Sequence, residues 1–327
     1  MPAPRETRCS MRSNCVATQI VLTIAASLLV IPSPASSQDQ TIHVGVPLVN
    51  VYATVLDKKN ATVPNLDQSD FKILEDKVEQ KISFFSHEST LPLSIGLIMD
   101  TSKSEEGKIG IEQQSASQFL HRVLRPGDKA FVVAFDASAN VLADWTSNIP
   151  TLDRAIQRTL VGIGYNDKVQ PGQFVPGGSD LYDVIYTACL KKMASETGRK
   201  TLVIISDAHD EGSKMEITDA IEAAQRSDTL IQILVVRNGL IGDSRSPDVA
   251  TRMTVETGGS AINITNQFRL EDAFDKIAGE LRTEYSLGYY PSNTKADGKF
   301  RHLKVELTNK DYKVLAREGY FARKAEK

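Results

Sequence analysis

Between about residues 91 and 282, short apolar runs alternate with stretches of three-and-four apolar spacing, and no other feature restricts the fold as much. The runs lie at 93–99, 130–135, 140–145, 201–206, 229–236 and 260–264. Near-continuous apolar runs bounded by polar turns mark strands covered on both faces, as in a parallel sheet. Between them, Leu181, Val184, Ile185 and Ala188 share one helical face, as do Ile217, Ala220, Ile221 and Ala224. Leu270, Ala273, Phe274, Ile277, Ala278 and Leu281 form a third such face. Strand–helix alternation over this length predicts an α/β fold with a doubly wound, mostly parallel sheet. The run at 140–145 follows its predecessor too closely for a crossover, so it is expected antiparallel at an edge.

The two ends of the chain read differently. Ile42, Val44, Val46 and Leu48, then Val51, Ala53 and Val55, alternate with polar residues, and strand candidates follow at 71–74 and 81–85. The last residues repeat the pattern at 284–290, 303–307 and 312–316. Period-two runs separated by polar turns indicate antiparallel sheet, yet neither end has enough strands to bury a core alone. The two flanks are therefore expected to pair into one small β-sandwich, with the α/β domain inserted between them.

The first 37 residues are set aside. Arg5, Arg8 and Arg12 precede an uncharged, mostly apolar run from about Val16 to Ile31, and small residues follow up to Ser37. This is the layout of a secretory signal peptide; the run is short and broken for a membrane span. The expected organisation is a signal peptide at 1–37, a first sandwich part at 38–90, the α/β domain at 91–282 and a second sandwich part at 283–327. An exported protein, periplasmic, cell-surface or extracellular, with no membrane anchor after cleavage, is expected. Cleavage removes three of the 38 basic and one of the 41 acidic side chains, so the remaining chain is mildly acidic, without the basic stripe of a nucleic-acid binder. Of the three cysteines only Cys189 remains, in a helical apolar pattern, and it reads as a small buried hydrophobe.

The chemistry gathers at strand ends. Asp100, Ser102 and Ser104 follow the run at 93–99, and Asp207 follows the run at 201–206. Ser179 closes a long irregular stretch at 161–178, rich in Gly, Pro and Gln. In an open parallel sheet, ligands bind in the crevice beyond the carboxyl ends of the strands. Two carboxylates and three hydroxyls there are hard oxygen donors suited to Mg²⁺, or to Mn²⁺ or Ca²⁺.

Asp-x-Ser-x-Ser at 100–104, with Ser179 and Asp207 in order behind it, resembles the metal-ion-dependent adhesion site (MIDAS) of von Willebrand factor type A (VWA) domains. That pattern has Thr where this chain has Ser179, and usually Gly where it has Ala208; neither change removes a donor atom. Stretches within 55–84 and 285–320 are similar to the flanks of bacterial secreted VWFA-related proteins. The resemblance implies capture of a partner protein: an Asp or Glu carboxylate of the partner completes the shell of a shared cation, and no enzymatic step is involved. Lys103 reads as a solvated loop residue, and Asp180 and Asp183 as caps or dipole partners of a first helical turn.

Two other functions are compatible with the same residues. A metal-assisted hydrolase would use Asp207, His209 and Asp210, although no second His lies near. A scaffold with a vestigial site would bind no cation. Ser179 lacks the Gly-x-Ser-x-Gly elbow of a nucleophile. Tyr285, Tyr289, Tyr290 and Tyr320 read as sandwich core and edge.

Overall fold

The computed structural model describes residues 48–324 except 88–90, 103–106, 137–138, 161–180, 211, 237–245 and 266–268. The chain divides into two compact units, Met1–Ile42 and His43–Lys327, and the described residues all belong to the second.

The central sheet has six strands: β5 (Leu93–Asp100), β6 (Lys129–Phe135), β7 (Ala139–Thr146), β8 (Arg199–Ser206), β9 (Thr229–Val235) and β10 (Ala261–Asn263). Their order is β10-β9-β8-β5-β6-β7, parallel throughout except for antiparallel β7 at the edge. Every residue of β5, β8 and β9 is buried, which is why these segments read as unbroken apolar runs. At the middle of β5 only glycine fits: a Cβ on Gly96 would come within 2.4 Å of Phe131 Cζ and 2.5 Å of Leu202 Cδ2.

Helices cover both faces. α1 (Ile109–Val123), α2 (Ile149–Gln157) and α6 (Leu270–Arg282) lie on one side, where Phe119 and Phe274 stack with ring centroids 4.9 Å apart. α2 starts on Asn148, whose side chain accepts from Thr151 N at 2.9 Å, satisfying one of the orphan donors of the first turn. α3 (Leu181–Ala188), α4 (Ile217–Arg226) and α5 (Ser246–Thr257) cover the other side. The predicted faces of α3, α4 and α6 are the buried ones, apart from half-buried Ile217. Cys189 is buried as expected, at the start of a π-helical turn that extends α3, and burial pushes its thiol up to about 12.

The flanks form two four-stranded antiparallel sheets. β1 (Val49–Leu56), β4 (Ile82–Ser86), β11 (Tyr285–Tyr289) and β13 (Lys313–Ala316) make one, in the order β13-β1-β11-β4. β2 (Phe71–Glu75), β3 (Val78–Gln80), β12 (Phe300–Leu307) and β14 (Gly319–Phe321) make the other, in the order β14-β12-β2-β3. Each sheet mixes strands from both chain ends, and one apolar core lies between them, so the sandwich built from the two flanks is present. Tyr285 and Tyr289 are core residues; Tyr289 and Tyr320 both donate to Oε2 of buried Glu75, at 2.6 and 2.9 Å. β3 and β14 were not expected, being too short to show a period. The alternating residues Ile42, Val44 and Val46 lie outside the described residues. Among the described residues, no helix is long and apolar enough to cross a membrane.

A buried arginine braces the junction of the sandwich and the α/β domain. Arg199, at the start of β8, donates from Nη1 to Leu281 O at 2.5 Å and from Nε to Leu91 O at 3.4 Å. Both chain crossings between the two layers are thereby held, and Glu284 Oε2 stands 3.4 Å from the same guanidinium. Burial raises the Glu284 carboxyl to about 7, against the lowering effect of Arg199.

Candidate metal centre

β5 and β8 are parallel neighbours in a register that pairs Met99 with Ile205, so Asp100 and Ser206 leave the sheet side by side. Ser206 is fully buried, and its Oγ donates to Asp100 Oδ2 at 2.7 Å. Oδ1 of Asp100 accepts from the backbone N of Ser102 at 2.9 Å, which turns the chain at once after the strand. Thr101 fastens the same turn to the end of β6, giving both its N, at 2.7 Å, and its Oγ1, at 3.0 Å, to Phe135 O. Asp100 is 3% exposed, and its buried carboxylate is met by one N–H and one O–H donor.

Asp207, the next residue after Ser206, is half-buried. Its Oδ1 accepts from His209 N at 2.9 Å, and its Oδ2 has no hydrogen-bond partner among the described residues. The turn is closed from below by Ala208 N, which donates to Ser206 Oγ at 3.1 Å. Ala208 has φ +58°, the left-handed region that glycine enters freely and alanine enters at a cost of about 1 kcal/mol. A glycine preference at this position therefore has a backbone cause, and this chain meets the same geometry with alanine.

The loop beyond Asp207 is laced onto the first turn of α3, which begins two residues after Ser179. Asp210 Oδ1 accepts from Ser213 Oγ at 2.6 Å and from Tyr182 N at 3.2 Å. Asp183, 4% exposed, accepts from Met215 N at 2.9 Å. Asp183 is thus a loop anchor rather than a simple dipole partner. Burial, reinforced by the charge of Asp210, raises the pKa of the Tyr182 phenol.

Of the five candidate ligands, Asp100, Ser102 and Asp207 lie at the carboxyl ends of two adjacent strands. Ser104 and Ser179 lie outside the described residues, as do Lys103 and Asp180. The described donors, two carboxylates and one hydroxyl, suit a hard divalent cation. Among the described residues no group of three His, Cys, Asp or Glu side chains converges on a metal-sized space. Both oxygens of Asp100 already accept hydrogen bonds, a state suited to holding a water of a cation's shell. Asp210, a candidate for hydrolysis, is instead engaged by Ser213 and Tyr182. Sequence reasoning missed Ser206; the signal was its place opposite Asp100 once the two runs are set parallel.

Residues 95–210 match the family model of the von Willebrand factor type A domain. No curated protein matches the chain at a significant level. Among solved structures, BatB, a conserved hypothetical protein from Bacteroides thetaiotaomicron, is 12% identical over 58% of this chain and 97% of its own, with a TM-score of 0.45. The von Willebrand factor type A protein from Catenulispora acidiphila is 11% identical over 79% and 74%, with a TM-score of 0.48. Proximal thread matrix protein 1 from the mussel byssus, with a zinc-occupied MIDAS motif, is 12% identical over 63% and 49%, with a TM-score of 0.48. At such identities and TM-scores these likenesses carry nothing about function. The family match and the sheet order of residues 93–263 agree, and on them the chain contains a von Willebrand factor type A domain.

Proposed function

We propose that this protein is an exported adhesion or assembly module that captures an acidic side chain of a partner protein through a divalent cation. VWA domains are protein-interaction modules, typically non-enzymatic, and commonly bind a divalent metal at the MIDAS. The observation that carries the reading is the Ser206–Asp100 hydrogen bond of 2.7 Å, which locks together the two strand ends bearing Asp100 and Asp207. Asp100, Ser102, Ser104, Ser179 and Asp207 would hold the ion, Mg²⁺ being the expected one. When bound, it supplies positive charge and a coordination position for an incoming carboxylate.

The chain's own residues prepare that position. Asp100 is oriented by Ser206 and by Ser102 N, and Asp207 by His209 N, so neither carboxylate has to reorganise when a partner arrives. Neutral hydroxyls at 102, 104 and 179 leave the ion's charge incompletely neutralised, which favours an anionic partner group. The test is capture of a partner from the native cell envelope with Mg²⁺ present. Chelation with EDTA and the substitution Asp100→Ala should each abolish capture while the protein stays folded; capture that survives both refutes the reading.

A further inference from the structure

At the end of the parallel sheet opposite Asp100, the sandwich and the α/β domain enclose a cleft of about 970 Å³. This is at the upper end of the roughly 300–1,000 Å³ of small-molecule sites, which concentrate at such domain junctions. Its lining includes the start of β8 at Lys200, the end of α4 at Arg226, and the sandwich residues Arg317 and Phe321. Leu91, 41% exposed, adds an apolar surface.

The cleft holds more cationic than anionic charge. Lys200 is only 7% exposed, and its ammonium, with three donors, gives one hydrogen bond, to Glu196 O at 3.1 Å. The Glu196 carboxylate is paired with Lys129 at 2.5 Å. The other lining acid, Asp228, is bound by Arg317. Lys200 and Arg317 therefore lie in the field of the same Asp228 carboxylate and oppose each other. The Arg317 side chain is 11% exposed, and its Nε is buried without a partner. Burial, with the Arg317 charge, lowers the Lys200 pKa, while Asp228 acts the other way. The wall is pre-organised: the Arg226 guanidinium lies 3.8 Å over the Phe321 ring, and that of Arg317 5.5 Å from the Tyr320 ring.

Buried cations with unused donors call for an anion, and the apolar surface calls for a carbon skeleton beside it. We propose that this cleft is a binding site for a small organic anion, carboxylate- or phosphate-bearing, held by Lys200 and Arg317. The site is independent of the metal centre and stands or falls without it.

The test is a titration of the full chain with citrate, and separately with inorganic pyrophosphate, in metal-free buffer at constant ionic strength. Backbone and lysine side-chain nuclear magnetic resonance signals are followed. Saturable shifts at Lys200, Arg317 and Tyr320 at millimolar probe are expected, and the tighter probe distinguishes the carboxylate from the phosphate source. Lys200→Met should weaken binding roughly tenfold or more, the value of one charge-assisted hydrogen bond. Should that variant fail to fold, the wild-type Lys200 ammonium should titrate at higher pH with citrate than with chloride. No saturable shift with either probe, unchanged affinity in folded Lys200→Met, or a Lys200 titration indifferent to citrate would overturn the proposal.

Discussion

In Ser206→Ala, the carboxylate of Asp100 loses the donor that lies 2.7 Å from its Oδ2, and the backbone N of Ala208 loses its acceptor at 3.1 Å. Both losses occur where water cannot substitute, since Ser206 is fully buried and Asp100 and Ala208 are 3% and 2% exposed. A hydrogen bond to a charged acceptor contributes roughly 1.5–3 kcal/mol, and an orphaned buried N–H costs about 1 kcal/mol or more. The expected loss of stability is therefore about 3 kcal/mol, read from urea unfolding in EDTA. The same substitution frees the Asp100 side chain from its fixed orientation, and with Asp100 in its proposed role the loss of that support should weaken cation binding roughly 10–100-fold. Calorimetric titration with Mn²⁺ checks this. A stability change under about 0.5 kcal/mol, within the range of an ordinary surface substitution, would refute the local account. Unchanged Mn²⁺ affinity would refute the role given to Asp100.

Arg199→Met leaves Glu284 as an unpaired buried acid and releases the carbonyls of Leu91 and Leu281; a loss of about 3–5 kcal/mol is expected in chemical denaturation at neutral pH. Glu284 also makes a pH prediction. Its carboxyl is raised from 4.5 to about 7 in the folded protein, so between those values the folded state keeps a proton that the unfolded state has lost. Stability should fall as pH rises through that window, and Glu284→Gln should remove this part of the slope; a slope unchanged in the variant contradicts the assignment. Gly96→Ala forces Phe131 and Leu202 aside in the middle of the sheet and should cost about 1–3 kcal/mol, measured by thermal or urea unfolding.

The parts of the fold legible in sequence are those where burial is complete or strictly periodic. β5, β8 and β9 are buried at every residue, and α6 along one face, so their patterns survive into the structure unmixed. The pairing of the two flanks was readable because each was too small to stand alone. β3 and β14, of three residues each, carry no periodic signal and are held by their neighbours β2 and β12. At the site, Asp100 and Asp207 were legible as polar residues ending apolar runs. Ser206 was not, because within such a run a serine looks like any small strand residue. Arg199 and Lys200 were equally silent. Charges at the mouth of a strand read as solvated, whereas both are buried in the folded protein.

The most direct test of the central claim is a crystal grown with Mn²⁺ and measured at the manganese absorption edge. The account predicts one anomalous peak at the carboxyl ends of β5 and β8, ligated directly or through water by Asp100, Ser102 and Asp207, and absent from crystals of Asp100→Ala. A peak elsewhere, or none in crystals whose Asp100 loop is ordered and open to solvent, would contradict it.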